Sequence, residues 1–209
     1  PTATGNEVVG NYLGTDASGT RGLGNSYGVF ISDTPGNTIG GTTAGAGNVI
    51  SANDYEGVYV SDDGATANRI LSNSIFNNAG LGIDLFGTDG PTPNDPGDPD
   101  TGPNNLQNFP VLTSAKTVSA NTTIRGTLDS TPNKSFLIQF FSSPTPDPSG
   151  YGEGKRLLGQ KAVTTDAAGK VSFTYTTPTG VPVGQAISAT ATGAANTSEF
   201  SRARLVVTP

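Results

Sequence analysis

The sequence predicts an all-β chain, and three observations carry that prediction. A short strand phrase bounded by Asn recurs through the first 87 residues and alternates with a second phrase introduced by Gly. Six prolines crowd residues 91–110. Residues 111–209 then read as regularly spaced alternating strands with turns between them. Gly (29) and Pro (15) interrupt every stretch that could hold a long amphipathic helix, so helices are not expected.

The first phrase runs Gly5-Asn6-Glu-Val-Val-Gly-Asn11, Gly36-Asn37-Thr-Ile-Gly, Gly47-Asn48-Val-Ile-Ser-Ala-Asn53 and Ala67-Asn68-Arg-Ile-Leu-Ser-Asn73. The second runs Gly28-Val-Phe-Ile, Gly57-Val-Tyr-Val and Gly82-Ile-Asp-Leu. Steps of 29 and 25 residues between those glycines are the size of one coil of a β-solenoid. Alternation along a strand puts Val29, Ile31, Val58, Val60, Ile83 and Leu85 inside the coil, and Phe30, Tyr59 and Asp84 outside. By the same rule Val8, Ile39, Ile50 and Ile70 stack inward. Asn suits the corners because it tolerates left-handed backbone and its amide can bond a like residue one rung away, so a ladder of Asn11, Asn53 and Asn73 is expected. Residues 15–26 and 42–47 are Gly- and Thr-rich and read as loops leaving the coil.

Coils therefore occupy 1–87, and 88–110 form an Asp- and Pro-rich linker or cap without strand or helix. The segment 111–209 holds seven candidate strands: 111–115, 122–129, 135–142, 156–164, 170–177, 185–192 and 198–207. Seven short strands in about a hundred residues point to an immunoglobulin-like β-sandwich. Cys and Trp are absent, so the sandwich lacks the antibody-type disulfide and its Trp.

The phrases GNYLGTDASGT, NTIGGTTAGAGNVIS, NRILSNSIFNNAGLGIDL and NDPGDPDTGPNNLQNFPVL resemble secreted bacterial proteins with right-handed parallel β-helix repeats followed by an Ig-like domain. The resemblance covers nearly the whole chain and implies right-handed winding. Some β-helices of this general kind are polysaccharide lyases or hydrolases. Pro1–Asn6 aligns with Gly64–Asn68, which lies mid-coil, so further coils upstream of residue 1 are expected.

Charge is distributed unevenly. Residues 1–110 hold twelve acids against two bases, Arg21 and Arg69, for a net of −10; residues 111–209 hold five acids against nine bases, for a net of +4. The acidic part would repel phosphate backbones, which argues against nucleic acid as a partner. No apolar run approaches the length of a membrane span. Low charge content and the lack of Cys, Met, Trp and His fit an extracellular or cell-surface location.

Site chemistry concentrates in the Asp-rich connector. Asp84, Asp89, Asn94, Asp95, Asp98 and Asp100 fall within 17 residues, and no Lys or Arg occurs between Arg69 and Lys116. Hard oxygen donors in tight turns suit Ca²⁺; the competing reading is a proline-stiffened linker whose Asp and Asn residues make local turns. Asp62-Asp63 is a second, weaker candidate. Phe30 and Tyr59, joined by Tyr12, Tyr27 or Tyr55, are candidate glycan contacts, with a polysaccharide or cell-surface polymer as the partner. No catalytic residue is assigned. Pectin-degrading β-helix hydrolases combine Asp residues with a His that this chain lacks, and lyase chemistry needs basic residues that its coils hold only at Arg21 and Arg69. The expected function is a structural or adhesive module stiffened by Ca²⁺; the alternative is a polysaccharide-binding or polysaccharide-degrading protein.

Overall fold

The computed structural model describes residues 3–86 and 90–209 and is all-β. Nine short strands come first: β1 (Glu7–Val8), β2 (Tyr12–Leu13), β3 (Val29–Ser32), β4 (Thr38–Gly40), β5 (Val49–Ser51), β6 (Val58–Ser61), β7 (Arg69–Leu71), β8 (Ser74–Phe76) and β9 (Ile83–Leu85). They form three parallel three-stranded sheets, ordered β1-β4-β7, β2-β5-β8 and β3-β6-β9. The chain visits the three sheets in rotation three times. Registers bring like residues together: Val8, Ile39 and Ile70; Leu13, Ile50 and Ile75; Ile31, Val60 and Leu85. These residues pack one apolar core, nearly all of it buried.

Two alternating phrases thus become three strands per circuit. Ile50 stacks with Leu13 and Ile75, not with Ile39 and Ile70. The phrases GNTIG and GNVIS look alike because each opens a strand after a corner, and corners make similar demands wherever they occur. The expected ladder of Asn11, Asn53 and Asn73 resolves into separate ladders. Asn6 and Asn37 each donate their N–H and Nδ2–H to the Oδ1 of the next residue in the series Asn6, Asn37, Asn68 (2.8–3.1 Å). Asn11, Asn48 and Asn73 repeat this pattern, as do Asn53 and Asn78. The left-handed residue is often the one before the ladder Asn: Ala52 (φ 63°), Ala67 (56°), Ser72 (57°) and Asn77 (57°). The corner bends one residue early, which leaves the following amide free to span the rungs.

Gly40 shows why such corners restrict side chains. Its φ is 83°, and an added Cβ would collide with the Leu71 carbonyl and the Asn73 amide of the next rung. Residues 15–26 and 42–47 carry no strand, only the isolated Thr15–Gly22 bridge.

The second half holds β10 (Val111–Val118), β11 (Asn121–Asp129), β12 (Ser135–Ser143), β13 (Arg156–Thr164), β14 (Lys170–Thr176), β15 (Ala186–Gly193), β16 (Asn196–Thr197) and β17 (Arg204–Leu205). Two antiparallel sheets result, β10-β11-β14 and β13-β12-β15-β16, with β17 also on β15. They share one core, in which Phe140 stacks on Tyr175 (4.6 Å) and meets Phe173 edge-on.

The strand expected over 198–207 is broken. Ser198 and Ser201 receive the Ala191 and Ala189 N–H groups on their hydroxyls (2.9 and 3.0 Å). Their own N–H groups still bond the carbonyls of the same two residues. Between them Glu199 and Phe200 turn towards the first half. Phe141 and Phe200 complete the core of the nine short strands. The connector also departs from expectation at one point: a tight turn over Pro103–Leu106, with left-handed φ at Asn104 (47°) and Asn105 (53°), survives the proline density.

Candidate functional site

A last row of parallel strands leaves N–H groups with no further rung to receive them, and such groups are costly when buried. Here the second half and the connector supply the acceptors. Asn104 Oδ1 takes the Asn68 N–H (2.9 Å), Thr197 Oγ1 takes Ile70 (3.0 Å) and Gln139 Oε1 takes Ser72 (2.9 Å). Ile75 exchanges both backbone bonds with Gly154 (3.0 and 2.9 Å). Glu153 Oε1 accepts the Asn78 N–H (3.1 Å) and Nδ2–H (2.8 Å), the same two bonds that each ladder Asn accepts from its neighbour. Glu199 Oε1 accepts the Leu85 N–H (3.0 Å) and its Oε2 the Thr92 N–H (2.8 Å).

Glu153 and Glu199 are both buried. Burial pushes the Glu153 carboxyl up to about 7, against the lowering effect of its bonds from Asn78. Burial raises Glu199 to about 8, and the neighbouring Asp84 adds to the rise. Neither glutamate was a sequence candidate. The signal available was slight: each is a lone acid among small or aromatic residues, in Gly152-Glu-Gly and Ser198-Glu-Phe.

Of the expected metal ligands, the fold brings three together. One carboxylate oxygen from each of Asp95, Asp98 and Asp100 lies within 4.8 Å of the others. The loop is fixed by bonds to 107–109 and 129–130. Asn108 donates Nδ2–H to the Asp95 and Asp129 carbonyls (2.7 and 2.9 Å), and its Oδ1 receives the Asp95 N–H. Asp98 Oδ1 receives the Asn108 N–H (3.0 Å), and its Oδ2 receives Gln107 Nε2 (2.6 Å) and the Ser130 hydroxyl. Asp95 Oδ1 and Asp100 Oδ1 are buried without a hydrogen-bond partner. Burial, with Asp95 and Asp98 nearby, raises Asp100 to about 6; burial is also the main cause raising Asp98. Asp98 and Asp100 form part of the wall of a cavity of about 420 Å³ that Lys134 and Phe136 also line.

The other candidates lie apart from this cluster. Asn94 spends its amide on the Phe109 backbone, accepting its N–H (3.0 Å) and donating to its carbonyl (2.8 Å). Asp84, expected to face outward, is 3% exposed, in register with Tyr59 and close to Glu199. Unlike β3 and β6, β9 is buried at all three residues, and Glu199 and Thr92 bond its Leu85 backbone. Asp89 lies outside the described residues. Asp62 accepts bonds from the Ser32 and Ser61 hydroxyls (both 2.8 Å), which hold its carboxyl below the usual range.

Phe30 and Tyr59 pair in register on β3 and β6 and belong to a larger stack. Tyr27 lies 5.3–5.5 Å from Phe30, Tyr55 and Tyr59, and Phe30 lies 5.2 Å from Tyr59, with planes 12–26° apart. Phe30 (55%) and Tyr55 (54%) keep more than half of their surface exposed. Tyr12 is exposed elsewhere, beside Gly19. No helix among the described residues is long and apolar enough to cross a membrane. No protein-family model matches this chain, and no curated protein matches it in sequence.

Proposed function

We propose that the protein is a structural or adhesive module of the cell surface or extracellular space. Its first nine strands form the end of a parallel β-helix. Right-handed winding follows the general preference of parallel crossovers. An Ig-like sandwich seals that end, and Ca²⁺ stiffens the connector between the two. The observation that carries this reading is the replacement of a further rung by side chains of the second half, Glu153 on Asn78 above all. Such a seal stabilises a shape.

The donor set at Asp95, Asp98 and Asp100 fits a hard cation. Three carboxylates converge, and two of their oxygens are buried without a donor. Thermal unfolding of the intact chain tests this. The midpoint rises with added Ca²⁺ and falls with chelator, and Asp95→Asn with Asp100→Asn removes the response. A midpoint indifferent to both treatments leaves a proline-stiffened linker.

The polysaccharide alternative is favoured by the exposed rings of Phe30 and Tyr55. A glycan array together with a reducing-sugar assay on pectin and alginate separates the two. Turnover of any polymer, or glycan retention lost in Phe30→Ala, replaces the structural reading.

A further inference from the structure

A groove of about 670 Å³ opens where the start of β10 and the segment leading into β17 diverge. Lys116, Arg202 and Arg204 line it, and no carboxylate does. Among the described residues none of the three cations is within ion-pair distance of an acid. The floor is apolar, and its Val111, Leu205 and Val207 are about half exposed. Unpaired cations around exposed aliphatic side chains suit an anionic partner with an apolar face.

The same chain carries the opposite surface. No Lys or Arg occurs from residue 22 to residue 68, while Asp33, Asp54, Glu56, Asp62 and Asp63 fall in that span. Asp54 and Glu56 precede β6 and Asp62 and Asp63 follow it, so acids stand at both ends of the strand that carries Tyr59. Burial and then Asp84 raise the Tyr59 hydroxyl, and after Tyr27 the charges of Glu56 and Asp62 add to the rise. Carboxylates beside open aromatic rings are a receptor for guanidinium, which pairs with the first and stacks on the second.

We propose that the protein associates head to tail with further copies of itself. The Arg202/Arg204 groove of one copy takes the acidic aromatic face around Phe30, Tyr55 and Tyr59 of the next. A long polyanion is the weaker occupant, because the first 110 residues carry a net of −10 and would repel it beyond the groove. Two different patches meeting make a heterologous contact, which extends into an open chain unless its rotation closes a ring. This inference is independent of the calcium reading.

Sedimentation equilibrium on the intact chain tests it. At low salt the weight-average mass rises with protein concentration, and in about 0.5 M NaCl, where screening is short-ranged, it returns to that of the monomer. Arg202→Glu with Arg204→Glu keeps the mass monomeric at low salt. So does Asp54→Lys with Asp63→Lys, two exposed acids outside the hydrogen-bond networks described above. Both variants keep the wild-type unfolding midpoint, and mixing them restores association at least tenfold over either alone. The proposal is overturned if the wild type stays monomeric at low salt, if the mixture fails to associate, or if Arg202→Glu/Arg204→Glu instead loses retention on an acidic polysaccharide.

Discussion

Replacing Asn73 with Leu lowers the unfolding free energy by roughly 3–5 kcal/mol, since each buried polar group left unpaired costs about 1–3 kcal/mol. Asn73 Oδ1 receives the Asn48 N–H (3.0 Å) and Nδ2–H (2.8 Å), and its Nδ2 donates to the Ile39 carbonyl (2.8 Å). Leu has nearly the same shape and offers none of these bonds, so three partners lose their bonds at one buried corner. The Asn6 side chain makes two bonds, donating Nδ2–H to Asn37 Oδ1 (2.8 Å) and to the Ala3 carbonyl (2.7 Å), at an exposed corner where water replaces the lost partner. Asn6→Leu therefore costs under about 1 kcal/mol. Urea denaturation at unchanged m-value reads the difference. Equal losses in the two variants would mean that the ladders do not hold the first nine strands together.

The second large effect is on pH. Glu153 and Glu199 have folded-state pKa values of about 7 and about 8, both above the ordinary 4.5. Between the ordinary value and the folded value the native chain holds a proton that the unfolded chain releases. The stability these two groups contribute is therefore full below about pH 4.5 and declines as pH rises towards 8, by up to about 1.4 kcal/mol per pH unit for each group. Glu153→Gln isolates one of them, because a single oxygen accepts both Asn78 bonds and an amide oxygen does the same. The variant has a shallower profile up to about pH 7 and exceeds the wild type by roughly 3 kcal/mol at pH 8. An unchanged profile would place a charged Glu153 in the native state. Glu199 is a poorer probe, because each of its oxygens faces an N–H and an amide nitrogen would oppose one of them.

Much of the architecture was legible in the residues. Period-two alternation placed Ile31, Val58, Val60, Ile83 and Leu85 in the core, where they are buried, because a strand has only two faces. The first six strands of the second half lie within a few residues of their expected bounds, since Gly, Pro and Asp turns punctuate them. The division of the first nine strands into three sheets was not legible: Ile39 and Ile50 follow the same local phrase, and only the pairing partner tells them apart. At the site, the crowding of acids pointed to Asp95, Asp98 and Asp100, which are near in sequence and held by one loop. Asp84 looked like a solvent-facing ligand because alternation assigns a face without saying what covers it. Glu153 and Glu199 were missed for the same reason. Their role is set by Asn78 and Leu85, which lie 75 and 114 residues away.

The central claim is that the second half acts as the missing rung of the first. Amide hydrogen exchange on the intact chain tests it most directly. The N–H groups of Asn68, Ile70, Ser72, Asn78 and Leu85, whose acceptors are side chains of the connector or the second half, exchange as slowly as those of Asn37, Asn48 and Asn53 in the middle row. Exchange of the last row at the rate of the exposed Asn6 and Asn11, with the middle row still protected, would contradict it.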